Sequence, residues 1–250
     1  MIPRLLFSSL SVKNNILDKK QTHYLKNVLR LKTGDNFVIF DGKGLEASAN
    51  LIVDKNGNAS FDIKNLTQID REVAVHITIA QALCLSNKMD YVIQKSTELG
   101  VALIQPISTS RSLMKLNALK AHEKIARWQR IADAASAQCG RSTQPRVLYP
   151  VDWPDFIKHT NQDNLNSSKW LLDPFSKNSI SKTKLDLTKN LIITIGPEAG
   201  FSNEEEKEAQ KNNFKPIRCG NRILRTETAS VVALSIVNNK IEETSEIKDS

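Results

Sequence analysis

The first seventy of the 250 residues alternate short apolar runs with turn chemistry. Leu5 to Val12 is briefly apolar behind Arg4, but it carries three serines and no small-residue cleavage site, so it reads as a first strand and not as a leader. Asp35 to Phe40 runs into Asp41-Gly42-Lys43-Gly44, and Asp-Gly after a β-branched and aromatic run predicts a hairpin with Leu45 to Val53 as the return strand. A second turn at Asn56-Gly57-Asn58 precedes Ala59 to Ile63, where Ala59, Phe61 and Ile63 alternate with polar neighbours as in a half-buried strand. One helix interrupts the set: His23 to Leu31 places Leu25, Val28 and Leu29 on one face and stops at Lys32-Thr33-Gly34. A mostly stranded segment of this length predicts a small barrel.

At Val73 the pattern changes. Val73 to Leu83 is nearly uncharged and β-branched, the signature of a strand covered on both faces in a parallel sheet. From there strands and helices alternate, as in α/β folds. Lys88 to Leu99 is a helix ended by Gly100, Val101 to Ile107 a strand broken at Pro106, and Asn117 to Gln138 a long helix. Strands are expected at Trp170 to Leu172, Leu191 to Ile195 and around Ile217, and helices at Asn203 to Asn212 and Glu227 to Glu242. The polar stretch Asp155 to Lys189 reads as loops, and the acidic tail after Lys240 as frayed. The domain boundary falls between residues 72 and 73.

Composition narrows the classes. Hydrophobic residues at 40% and charged residues at 25% describe an ordinary globular protein, and no stretch approaches the roughly 18 apolar residues of a membrane span. Cys84, Cys139 and Cys219 are widely spaced without a CxxC pair, which suggests neither a disulfide framework nor a metal site. The net charge of +8 is concentrated: between Arg111 and Arg146 stand eight basic residues and two acidic ones. Lys120, Lys124, Arg127 and Arg130 recur at helical spacing, a stripe suited to phosphate contacts, with a merely solvated helix face as the alternative. His23, His76, His122 and His159 are scattered and suggest no general base; His76, within a strand, reads as a core histidine. Trp128, Trp153 and Trp170 read as packing residues.

The sharpest signal is the run Leu191 to Glu205. An apolar strand enters the turn Gly196-Pro197-Glu198-Ala199-Gly200, and Ser202 with Glu205 forms a capping box that opens a helix. Strand, glycine turn and helix start make a ligand site in many α/β proteins, because free backbone N–H groups converge there. Both phosphate-loop signatures are missing, and Glu198 with Glu204 to Glu206 would repel phosphates. A phosphate-free, partly cationic cofactor such as S-adenosylmethionine fits better; a turn without ligand is the alternative. A second run, Pro216 to Ala229, repeats strand, glycine, loop and helix, with Thr226 as N-cap and Ala229, Val232, Ala233 and Ile236 as the apolar face. One of Ile223 and Leu224 is expected to plug the core.

Together these two runs resemble the SPOUT superfamily of knotted methyltransferases, and within it the ribosomal RNA small subunit methyltransferase E family. The likeness extends to His23–Leu31, Gly34-Asp35, Asp41-Gly42, Gln94 to Val101, and Arg127-Trp128-Gln129-Arg130-Ile131 through Gln138, Gly140-Arg141-Ser142 and Pro145. Departures are Ala199 for a second glycine, Cys219 for leucine and Ser110 for an acidic residue before Arg111; alanine tolerates positive φ less well than glycine. The resemblance implies an α+β two-domain chain: a PUA-like RNA-binding β-barrel over 1–72 and an α/β trefoil-knot methyltransferase domain over 73–250. It implies a cytoplasmic homodimer, without metal or membrane, that uses S-adenosyl-L-methionine to methylate N3 of a uridine in the 16S rRNA of the small ribosomal subunit.

The same resemblance places the cofactor at Leu172, Ile195, Gly196, Pro197, Glu198, Gly200, Arg218, Cys219, Gly220, Asn221, Ile223 and Leu224. For catalysis, Arg225 and Arg222 would hold the uracil oxygens or a phosphate, and Glu227 would orient Arg225 or accept the N3 proton, with Glu198 a weaker candidate. Arg4, Lys26, Arg30 and Lys32 in the barrel, with Arg111, Arg127, Arg130 and Arg141 beyond it, would contact rRNA. The competing readings are a non-catalytic basic RNA-binding protein and a SPOUT enzyme acting on a ribose 2′-hydroxyl.

Overall fold

The alternation of the first seventy residues becomes a five-stranded sheet. The computed structural model describes residues 2–7, 10, 15–162 and 166–249. Strands β1 (Arg4–Leu6), β2 (Asn15–Ile16), β3 (Asn36–Phe40), β4 (Leu45–Val53) and β5 (Ala59–Gln68) lie in the order β1-β3-β4-β5-β2. The pair β1–β3 is parallel and the others antiparallel. Of the strand expected over Leu5 to Val12, residues 8, 9, 11 and 12 lie outside the described residues. The β3–β4 turn closes on Asp41, whose Oδ1 accepts from the N–H groups of Lys43 (2.7 Å) and Leu45 (3.0 Å). Phe37, Ile39, Ala49, Leu51 and Phe61, all fully or almost fully buried, alternate into one core.

The first helix, α1 (Lys19–His23), begins earlier than its apolar spacing suggests. Asp18 accepts from the Gln21 N–H and the Gln21 side chain accepts from the Asp18 N–H, a reciprocal cap that sets the start. The turn then widens into a π-helix over Tyr24–Val28, so only Leu25 of the expected face is buried, while Val28 is exposed.

Contacts gather Met1–Glu72 with Ser136–Gln144 into one compact unit, and Val73–Ala135 with Pro145–Ser250 into another. Within the first unit, Glu46 ties the pieces together. It accepts from Arg4 (2.8 Å), Arg71 (2.8 Å) and Ser142 (2.6 Å), and the Arg4 guanidinium lies over the Phe40 ring. Arg141 pairs with Glu72 and is only 5% exposed. Arg4 and Arg141 therefore hold this unit together instead of facing solvent as RNA contacts.

The second unit is wound on a seven-stranded sheet made of β6 (Ile77–Ala82), β7 (Leu103–Ser108), β8 (Arg146–Val147), β9 (Val151–Asp152), β10 (Ser167–Leu172), β11 (Asn190–Ile195) and β12 (Lys215–Ile217). The order is β12-β10-β11-β6-β7-β8, with β9 also on β7, and all pairs are parallel. The expected break at Pro106 does not occur. β8 pairs with Leu103 and Ile104 and β9 with Ile107 and Ser108, so Pro106, which has no N–H, stands where neither needs one.

Helices α2 (Ser86–Glu98), α3 (Ala118–Cys139), α4 (Trp153–Gln162), α5 (Asn203–Lys211) and α6 (Thr226–Asp249) complete the unit apart from the last turn of α3, which belongs to the first. The stretch expected as loops contains α4, anchored by Trp153, Phe156 and Ile157 in a cluster with Phe201 and Phe214. The last helix runs on to Asp249 and does not stop near Glu242. Its buried face is Ala233, Leu234, Val237 and Ile241, so Val232 falls just off it. His76 precedes β6 and is exposed, contrary to the core reading. Trp128, Trp153 and Trp170 are buried.

Candidate active site

The carboxyl ends of β6, β10, β11 and β12 converge, as parallel sheets arrange wherever a ligand binds beyond their strand ends. Around them opens a cavity of about 670 Å³. Leu172, Ile195, Ile217, Ile223 and Leu224 give it apolar walls, while Glu198, Glu206, Asp173, Lys88, Arg222 and Arg225 bring charge to it.

The turn after β11 is built by short-range chemistry. Gly200 sits at φ +70 and donates its N–H to the Pro197 carbonyl (2.9 Å). Ala199 is not among the residues with positive φ, so the alanine replaces glycine there without strain. A Cβ on Gly196 would stand 3.2 Å from the Phe201 ring and 3.3 Å from the Gly200 Cα, so a larger residue there would have to push the ring or the turn aside by a few tenths of an ångström. The expected capping box is present: Ser202 accepts from the Glu205 N–H and Glu205 from the Ser202 N–H. Glu205 also accepts from the Ser110 N–H (2.8 Å), a backbone contact that any residue at 110 supplies.

Arg111, expected on RNA, instead clamps this turn, donating to the carbonyls of Ala199 (3.1 Å) and Phe201 (2.9 Å). The second loop is fixed from the other side. Arg218 exchanges backbone hydrogen bonds with Asn178 and Ile180, and its guanidinium donates to the Ser176 carbonyl (3.2 Å).

Of the expected cofactor residues, Leu172, Ile195, Gly196, Pro197, Glu198, Gly200, Cys219, Ile223 and Leu224 line the cavity. Arg218, Gly220 and Asn221 are not among its walls: Arg218 braces the loop, and the other two face solvent. Neither Ile223 nor Leu224 plugs the core; Ile223 is 72% exposed. Arg222 and Arg225 stand exposed in the cavity lining. Thr226 is no N-cap: its hydroxyl donates to the Gly196 carbonyl, and the Arg225 carbonyl accepts the first helical bond, from Ala229.

Glu227 meets the site through Lys88, a residue the sequence did not single out. The Lys88 ammonium lies 3.0 Å from Glu198 and 3.7 Å from Glu227. One Glu227 oxygen is buried without a hydrogen bond. Burial works to raise the Glu198 pKa, but its own N–H, Lys88 and the Leu85 N–H outweigh burial and hold it below 4.5. Burial, reinforced by Asp173, raises the Glu206 pKa, and burial pushes the Cys219 thiol up to about 11. None of the four histidines lines the cavity. Among the described residues no group of three His, Cys, Asp or Glu side chains could hold a metal, and no helix is long and apolar enough to cross a membrane.

Of the other proposed RNA contacts, Arg30 and Arg130 are exposed, Lys26 donates to the Gly57 carbonyl (3.1 Å), and Arg127 is paired with Asp90 at 2.7 Å.

A parallel sheet whose strand ends carry a glycine turn, joined in one chain to a small mixed sheet, is a two-domain α/β frame with a ligand site at the strand ends, and the family models place it in the class of RNA methyltransferases. The family model described as RNA methyltransferase domain matches residues 71–238, and that of the RNA methyltransferase PUA domain matches residues 17–64. The chain belongs to the ribosomal RNA small subunit methyltransferase E family. It is 34% identical over 226 residues to the member from Buchnera aphidicola, covering 88% of this chain and 85% of that one. A crystal structure of the Neisseria gonorrhoeae member, bound to S-adenosyl methionine, superposes with a TM-score of 0.87 at 30% identity, over 96% of this chain and 98% of that one. A Legionella pneumophila methyltransferase in complex with the same cofactor gives 0.88 at 29% identity, over 96% and 98%.

Proposed function

We propose that this chain transfers a methyl group from S-adenosylmethionine to N3 of a uridine in the 16S rRNA of the small ribosomal subunit, acting as a cytoplasmic homodimer. The observation that carries this is the convergence of Arg222, Arg225 and the glycine turn on one cavity, with Lys88 in its wall pairing with both Glu198 and Glu227. The cavity suits that cofactor. Its aliphatic walls fit an adenine, its carboxylates complement a cation, and the acidic turn disfavours a phosphate-bearing ligand. Leu172, Ile195, Leu224 and the 196–200 turn would hold it. When bound, it supplies an electrophilic methyl on a sulfonium that departs as a neutral thioether.

The chain's own residues do the rest. Uridine N3 carries a weakly acidic proton, which must leave as the new N–C bond forms. Glu227, set behind Lys88 and not itself a wall of the cavity, orients Arg225 or accepts that proton, and proton acceptance would contribute on the order of 10²–10⁴-fold. Arg225, with Arg222, donates to the uracil oxygens on which negative charge develops. Lys88 holds Glu198 and Glu227 within reach of one ammonium and offsets the repulsion between them.

The test supplies labelled cofactor and small ribosomal subunits, followed by digestion of the rRNA to nucleosides. Label on uracil N3 is expected. Label on ribose would reassign the target to a 2′-hydroxyl, and no label with no cofactor binding by calorimetry would leave a non-catalytic RNA-binding protein. Arg225→Ala removes an exposed side chain, so the fold should persist while transfer falls by about 10²-fold or more. Unchanged transfer would remove Arg225 from the mechanism.

A further inference from the structure

Gln81 lies at the end of β6, fully buried, and is not among the cavity's walls. Its side-chain nitrogen donates to the Thr226 hydroxyl (2.9 Å) and to the Ala82 carbonyl (3.0 Å). The Ala82 carbonyl fixes the orientation of the amide, because the reverse placement would set two oxygens against each other. The Thr226 oxygen lies 2.6 Å from the Gly196 carbonyl. A hydroxyl has one proton, and the Gln81 amide nitrogen can only donate to it. The Thr226 proton therefore goes to Gly196, and the relay runs one way, from Gln81 through Thr226 to the first residue of the glycine turn.

This arrangement has a cost that packing does not explain. The Gln81 carbonyl oxygen is buried without a partner, a penalty avoided by an apolar residue of similar size. The Gly196 carbonyl meanwhile takes a hydrogen bond from the Thr226 hydroxyl at the head of the turn that the Gly200 N–H closes on Pro197. Thr226 stands between Arg225 and Glu227, so the relay also ties the glycine turn to the start of α6.

We propose that Gln81 is a positioning residue for the cofactor: by orienting the Thr226 hydroxyl it holds the Gly196 turn in its binding conformation. The inference rests on reading this cavity as the S-adenosylmethionine pocket. Gln81→Met, similar in volume and without a donor, should weaken cofactor affinity about five- to tenfold by calorimetry, the effect of one hydrogen bond. Thr226→Val should give a similar loss, Thr226→Ser should restore the affinity, and the double variant Gln81→Met/Thr226→Val should be no worse than either single one.

A residue serving stability alone would lower the melting temperature and leave the affinity of the folded protein intact. That result for Gln81→Met, or fully additive losses in the double variant, overturns the proposal. If Gln81→Met does not fold, the Val and Ser variants decide it, since equal affinities at position 226 would show that no relay acts on the turn. Absence of cofactor binding in the unmodified protein would instead end the reading of the pocket itself.

Discussion

Two neighbouring positions in the glycine turn respond to substitution in opposite ways. Gly200 holds φ +70 with open space around the position of a Cβ, so alanine there meets no clash but pays the left-handed backbone penalty of about 1–2 kcal/mol. Ala199 avoids that region and offers its carbonyl to Arg111. Gly200→Ala should therefore lower stability by about that amount and weaken cofactor binding, whereas Ala199→Gly should cost only the few tenths to 1 kcal/mol of added chain entropy. Urea denaturation with and without cofactor measures both, and equal effects at the two positions would contradict the assigned backbone. The glycine spacing showed that a turn was there. Only the backbone shows which residue of the turn is irreplaceable.

At the scale of elements, the Glu46 cluster gives the first unit a pH dependence of definite sign. Burial alone would raise the Glu46 pKa, but hydrogen bonds from Arg4, Arg71 and Ser142 outweigh it and bring it from 4.5 down to about 2. The contribution is complete above pH 4.5 and is lost as pH falls towards 2; it is worth on the order of 2–3 kcal/mol after allowing for partial solvent contact. Glu46→Gln should lower the stability of this unit by about that much at pH 7 and by little near pH 2, read from the exchange protection of β3 and β4 amides. An equal loss at both pH values would assign the effect to packing. This cluster was hidden in the sequence because its members lie far apart along the chain. Local signals fared better: the caps at Ser202 and the Asp41 turn depend on residues within four positions and were legible. Helix α4 was not, although Pro154 in its first turn is a start signal, because its buried positions Trp153, Phe156, Ile157 and Thr160 are interleaved with polar ones. Lys88, and the hold of Arg111 on the turn, escaped for the reason Glu46 did, since each reaches the cavity from an element remote from the glycine turn.

For the molecule as a whole, the net charge of +8 predicts an anionic partner, and the fold changes how strongly that partner should sense salt. Each phosphate neutralised on binding releases counterions, so the logarithm of affinity falls with that of salt by about 0.7–0.9 per contact. If all eight cations between Arg111 and Arg146 gripped rRNA, the slope from that segment would be about 6–7. The structure commits several of them elsewhere. Arg141 is spent on Glu72, Arg127 on Asp90, Arg111 on two turn carbonyls, and Lys124 on Ser86 (2.6 Å). Lys115, Lys120, Arg130 and Arg146 remain exposed, which reduces the segment's share to about 3–4. Filter binding of 16S rRNA across a salt series should show Lys120→Gln and Arg130→Gln each reducing the slope by nearly one, at little cost in melting temperature. Arg141→Gln should do the reverse, because it leaves Glu72 unpaired inside a packed unit while removing no phosphate contact. A slope that drops with Arg141→Gln and stays with Arg130→Gln would mean that the chain grips RNA through the residues its fold has buried, and would overturn this assignment of the charge.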